Sequence, residues 1–246
     1  MQTHVYPTPT EANNAASQQL SAWLTDAATR TVMLAAGNTP LELYRLIAQR
    51  QLSLSHLTLF ALDEYVGVPL DEPRNCANLL RRTAVQPWGV PESQYHYVSS
   101  DPAEAASSVK AHEERIAAAG GLDVLILGLG QNAHLGFNEP GSAEDGPGRL
   151  LDLDAISIEA NRQWYGGDYA PAQGATVGMK AILAARKILI MAYGPHKRAA
   201  VRGMLQGPRG PACPASLLRG HPAVHVYLDE AAVNQTSVNH TAEGEA

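Results

Sequence analysis

The chain has 246 residues, a formal net charge of -6 and an isoelectric point near 5.8. That length suffices to bury a large core without disulfides or metals, and the acidic balance argues against a protein that wraps nucleic acid. Cys76 and Cys213 lie far apart and form no CxxC pair, which suits two reduced thiols in a cytoplasmic protein.

The N-terminal stretch MQTHVYPTPTEANNAASQQL has no basic start and no long apolar core, so no signal peptide is expected. No apolar run approaches a membrane span. Thr10 to Asp26 reads as a first helix with Thr10 as its cap, and Thr31 to Ala35 (TVMLA) as a short buried strand. A helix follows from Pro40, with Thr39 as N-cap and Glu42 completing a Thr-x-x-Glu capping box. Leu57 to Leu62 (LTLFAL) reads as the second strand. Asn75 to Arg82 and Pro102 to Ala119 read as helices. Leu122 to Leu127, Lys187 to Ala192 and Ala223 to Leu228 complete five strands, with a helix from about Pro195. Gly141 to Leu151 reads as a loop. Trp164 to Gly174 reads as a second one, rich in glycine and a candidate lid.

Strands that are apolar throughout are buried on both faces. Alternating with helices, they predict an α/β fold with a mostly parallel sheet covered on two sides. One domain is expected over residues 1–231, followed by a disordered polar tail over 232–246.

In such sheets ligands bind beyond the carboxyl ends of the strands. The residues there are Gly37-Asn38-Thr39-Pro40, Asp63-Glu64-Tyr65, Gly128 to Gly141, and Gly194 to Lys197. The first opens a helix, whose exposed N–H groups can hold a phosphate, and Lys197 can supply counter-charge. Either feature alone better fits an ordinary capped helix or a surface lysine. Asp63 can act as a base if burial raises its pKa, or it can merely end a strand in a turn. His134 exchanges protons near neutral pH; Glu139 can turn back to hold its ring, and Asn132 can orient it. There is no GxSxG elbow, and Pro222 disfavours a metal pair of His221 and His225.

Together these stretches resemble the glucosamine-6-phosphate deaminase/isomerase family, especially its galactosamine-6-phosphate branch. The likeness rests on Leu62 to Gly67 (LDEYVG), Leu127 to Gly130, His134 to Gly141 (HLGFNEPG), Thr176-Val177-Gly178, and Gly194 with Lys197, and runs from about residue 10 to 230. The resemblance implies a modified Rossmann-like fold with no cofactor and no catalytic metal. The implied reaction converts a 2-amino-2-deoxyhexose 6-phosphate into the ketose 6-phosphate plus ammonia. By position, His134 would open the sugar ring, Glu139 would support it, and Asp63 would carry the proton from C2 to C1. Gly37, Asn38, Thr39 and Lys197 would hold the phosphate.

Two departures from the family stand out. Asn132 replaces an aspartate of many glucosamine-specific members; an amide orients by hydrogen bonds but adds no charge. The lid arginine that grips phosphate appears as Gln163, with Arg162 adjacent. The basic allosteric cluster of the hexameric bacterial enzymes is not evident, since Leu151 occupies one of its positions. The expected partner is a small sugar phosphate, with no nucleic acid and no membrane, for a monomer or homo-oligomer.

The alternatives are a 6-phosphogluconolactonase and a non-catalytic sugar-phosphate sensor. The lactonases lack Phe-Asn-Glu-Pro and usually carry arginine where this chain has Tyr65. A repressor's effector domain would come with a DNA-binding helix pair, for which the N-terminus has no room.

Overall fold

The computed structural model describes residues 1–167 and 170–233, apart from the side chains of residues 163 and 164. The chain begins with strand β1 (Gln2–Tyr6), helix α1 (Pro9–Leu24), strand β2 (Thr31–Leu34), helix α2 (Asn38–Gln49) and strand β3 (Thr58–Ala61). Next come β4 (Asp63–Tyr65), α3 (Cys76–Leu80), β5 (Tyr95–His96), α4 (Ala105–Ala118) and β6 (Val124–Gly128). Then follow β7 (Arg149–Asp152), α5 (Ala155–Trp164), β8 (Gln173–Thr176), α6 (Met179–Leu183) and β9 (Lys187–Ala192). The described chain closes with α7 (Arg198–Gln206), β10 (Val224–Asp229) and α8 (Glu230–Val233).

Seven strands form one sheet in the order β1-β10-β9-β6-β2-β3-β5, and every pairing in it is parallel. Because side chains alternate across a strand, each strand feeds two cores. Met33 of β2 and Phe60 of β3 join Met179, Ile182, Val201 and Met204 on one face. Val32, Leu34 and Leu59 join Leu20, Leu43, Tyr44 and Ile47 of α1 and α2 on the other. The apolar strands are therefore buried on both sides, as their composition predicts, and the fold is of the Rossmann-like α/β kind.

The edge strand β1 and the short β5 escape sequence reading. β1 shows an exposed or half-buried side chain at every position, so it carries none of the apolar signal of a central strand. A second, antiparallel sheet, β4-β8-β7, is also new. Its β7 occupies the end of the segment expected to be a loop over Gly141 to Leu151, and β8 begins inside the expected Trp164 to Gly174 loop. Helix α5 and the two glycines after it precede the part of that loop outside the described residues, 168 and 169.

Two helix caps also differ from the sequence reading. The cap of α1 is Thr8, not Thr10: its hydroxyl accepts from the Glu11 N–H at 3.3 Å, the Glu11 carboxylate accepts from the Thr8 N–H at 3.2 Å, and Pro9 follows at the first position. Helix α2 starts at Asn38, so Thr39 is not its cap. Gly37 holds the cap position at φ +106° with no side-chain hydrogen bond, and Glu42 pairs with Arg45 at 2.6 Å instead. Helix α8 carries the chain to Val233 with Ala232 buried, past the domain end expected at residue 231; residues 234–246 of the expected tail lie outside the described residues. Among the described residues, no helix is long and apolar enough to cross a membrane.

Candidate active site

A cavity of about 300 Å³ opens at the carboxyl ends of β2, β3, β6 and β9. Gly37, Asn38, Thr39, Asp63, His134 and Lys197 all line it. Segments from Gly37 to Lys197, far apart in the chain, meet here because neighbouring parallel strands point their carboxyl ends the same way.

The start of α2 forms one wall. Its first N–H groups have no side-chain cap, because Gly37 has none to offer. Those N–H groups and the helix dipole make the wall attractive to an anion. Lys197 stands nearby; its ammonium donates to the Leu129 carbonyl at 2.5 Å, and burial lowers its pKa. That hydrogen bond ties Lys197 to the end of β6 and holds it at the cavity.

Asp63 begins β4, immediately beyond β3, and is 8% exposed. No described group hydrogen-bonds its carboxylate. Burial, followed by the charge of neighbouring Glu64, pushes its pKa up to about 8. Glu64 points the other way and serves the scaffold: burial pushes its pKa up, while N–H groups of Ala77, Cys76 and Tyr65 hold it back at 2.8–3.0 Å. Asp63 thus has the desolvated, unpaired setting of a proton acceptor.

The loop after β6 treats its acid differently. The Glu139 carboxylate accepts from His134 Nδ1 at 3.1 Å and Asn132 Nδ2 at 2.7 Å through one oxygen. Its other oxygen accepts from the Ser157 hydroxyl at 2.5 Å. Burial pushes the Glu139 pKa up, but these donors prevail and bring it to about 2. An ionised carboxylate can only accept, so Nδ1 of a neutral His134 must carry the proton and Nε2 is left as the base. Glu139 turns back onto the ring as the spacing suggests. Asn132 works less directly than expected: its amide donates to Glu139, and its oxygen accepts from the His134 backbone N–H at 3.3 Å, so it does not touch the imidazole.

The loop is pinned from behind. Asn138 donates to the carbonyls of Leu135 and Val177, each at 2.9 Å, and accepts from Arg149 at 2.9 Å. A Cβ on Gly130 would stand 2.3 Å from the His134 ring, so that glycine gives the imidazole its space.

Arg162 lies on α5, pairs with Glu159 at 3.2 Å and does not line the cavity. Gln163 is on the same helix, but its side chain lies outside the described residues. The sequence reading did not single out Ser157, Asn161, Arg74 or His196. Ser157 joins Glu139 and the others line the cavity. Ser157 and Asn161 sit on α5, whose start carries one readable signal: Asp154, the residue just ahead of the helix, accepts from the Ile156 N–H at 2.9 Å.

The chain matches the family described as glucosamine-6-phosphate isomerases/6-phosphogluconolactonase over residues 7–226. It is 38% identical over 206 residues to a glucosamine-6-phosphate deaminase of Rhodopirellula baltica, covering 82% of each chain. Against the corresponding deaminase of Corynebacterium kroppenstedtii it is 35% identical over 241 residues, covering 94% of this chain and 91% of the relative. A solved monomeric glucosamine-6-phosphate deaminase superposes with a TM-score of 0.90 at 27% identity, over 94% of this chain and 98% of that one. A 6-phosphogluconolactonase from Trypanosoma cruzi shares the fold with a TM-score of 0.77 at 20% identity, over 94% and 95%. Matched along nearly its whole described length, the chain belongs to the glucosamine-6-phosphate isomerase/6-phosphogluconolactonase family.

Proposed function

We propose that the protein is an aminosugar-6-phosphate deaminase/isomerase. It takes a 2-amino-2-deoxyhexose 6-phosphate of the gluco or galacto configuration and water, and yields the ketohexose 6-phosphate and ammonia. The observation that carries this reading is that Asp63 and His134 line one cavity. One is a dry carboxylate with a raised pKa, and the other is an imidazole whose tautomer is fixed by an ionised glutamate.

His134 moves the proton between the anomeric hydroxyl and the ring oxygen as the ring opens, with Nε2 as the exchanging atom. Glu139 keeps the imidazole oriented. Asp63 takes the proton from C2 of the open aldose and returns it at C1. The enolamine so formed becomes the C2 imine, and water replaces nitrogen there to release ammonia. Asp63 suits this task because its raised pKa favours holding the proton between the two transfers. The uncapped start of α2 and Lys197 suit the phosphate, whose binding fixes the reacting carbons. We read the enzyme as cytoplasmic, in keeping with unpaired Cys76 and Cys213.

Ammonia release measured over glucosamine 6-phosphate, galactosamine 6-phosphate and the corresponding amine-free hexose 6-phosphates tests the reading. Ammonia from at least one amino sugar phosphate is expected. Ammonia from neither, together with hydrolysis of a 6-phosphosugar lactone, would replace it with the lactonase reading.

A further inference from the structure

A phosphate monoester carries close to two negative charges at neutral pH. The cavity answers with Lys197 and the partial charge of a helix start, while Asp63 also lines it. Arg162, the lid cation available in sequence, is turned to Glu159 on the outside of α5. A different arginine lines the cavity. Arg74 sits between β4 and α3, beside Cys76 and Leu79.

Arg74 is held on two sides. Its Nε donates to the Glu72 carboxylate at 2.5 Å. Its guanidinium carbon lies 4.8 Å from the centre of the Tyr165 ring, and the Tyr165 hydroxyl donates to the Arg74 carbonyl at 3.3 Å. Tyr165 in turn meets Tyr65 edge-on at 5.8 Å, and Tyr65 donates to Asn161 at 2.7 Å, so the support runs across to α5. These contacts use the Nε edge and one face of the guanidinium. No described group hydrogen-bonds the two terminal nitrogens. The side chain keeps 36% of its exposure at the cavity rim.

A planar fork with its outer nitrogens free and its stem immobilised is matched to an oxyanion, which it binds through two parallel hydrogen bonds. Glu72 reduces the net charge of the pair but leaves that fork open. We propose that Arg74 is the second cation anchoring the substrate's phosphate, taking from the loop before α3 the role that a lid arginine would take from α5. The inference rests on the reading of the substrate as a sugar phosphate and goes beyond it in assigning this residue.

The test uses the full chain with Arg74→Gln and Arg74→Lys, titrated calorimetrically with inorganic phosphate and assayed for ammonia release. R74Q is expected to weaken phosphate binding and raise KM about ten- to hundred-fold, with kcat changed less than about threefold, because the contact is made equally in ground and transition states. R74K keeps the charge but loses the fork, and is expected to fall between the two. Phosphate affinity unchanged in a folded R74Q would overturn the proposal. If R74Q does not fold, R74K decides: a several-fold weaker phosphate affinity supports the fork, and an unchanged affinity overturns it. Ammonia release by the wild type with unaltered phosphate binding in R74Q would end this inference alone. Loss of phosphate binding in R74Q, with no ammonia from the wild type, would end the deaminase reading alone.

Discussion

The end of β3 and the loop after β6 treat their acids in opposite ways. Asp63 is buried with no hydrogen-bond donor among the described residues, and its pKa rises to about 8. Glu139 is equally inaccessible at 8% exposure, yet donors from His134, Ser157 and Asn132 bring it to about 2. Two acids of equal exposure thus differ because burial and the charge of Glu64 act together at Asp63, whereas at Glu139 the burial is opposed by N–H and O–H donors and by the neighbouring His134. Under the proposed function, the group that picks up a proton is the dry one, and the group that stays charged beside an imidazole is the one surrounded by donors.

The most severe way to break this contrast is Asp63→Asn. Turnover is expected to fall by about 10³-fold or more, with sugar-phosphate binding retained. Steady-state kinetics and titration calorimetry check it, and near-normal turnover would remove Asp63 as the base. The same variant sharpens the electrostatic claim. The folded pKa of Asp63 lies above its unfolded value, so between about pH 4 and 8 the folded state binds more protons and stability falls as pH rises. Asp63→Asn should flatten that part of the stability profile in chemical denaturation. Glu139 has the opposite sign: its contribution is full above about pH 4.5 and is lost as pH falls towards about 2.

His134→Gln ranks next, with turnover of the cyclic sugar expected to drop about 10²-fold and steps after ring opening much less affected. Single-turnover measurements separate them; equal slowing of both would argue against ring opening. The smallest expected effect is that of Ser157→Ala. It removes one donor of several from Glu139, about 1 kcal/mol, so a several-fold loss of turnover is expected. A loss as large as that of His134→Gln would show that Ser157 itself handles a proton.

Much of this arrangement is legible without coordinates. Apolar runs such as LTLFAL and KILIMA announce strands buried on both faces, and the polar and glycine residues that follow them mark the ligand-binding end. His134 and Glu139, five positions apart, are close enough in the chain for their pairing to be foreseen. Ser157 and Arg74 are not legible in this way. Their partners or common cavity are assembled from α5, the loop after β6 and the loop before α3, which no local pattern links. The strands β4, β7 and β8 were hidden for a related reason. They are three or four residues long, and β7 and β8 hold glycine and charged residues that read as loop.

The sequence by itself determined the periodicity of the main elements and marked the candidate groups Asp63, His134 and Glu139, because both depend on residue type and short spacing. Only the tertiary structure decided which carboxylate is dry and which is saturated with donors. It likewise decided that Arg162 faces Glu159 while Arg74 faces the cavity. Solvation and charge pairing are set by neighbours in space, and a folded sheet brings those neighbours from distant parts of the chain.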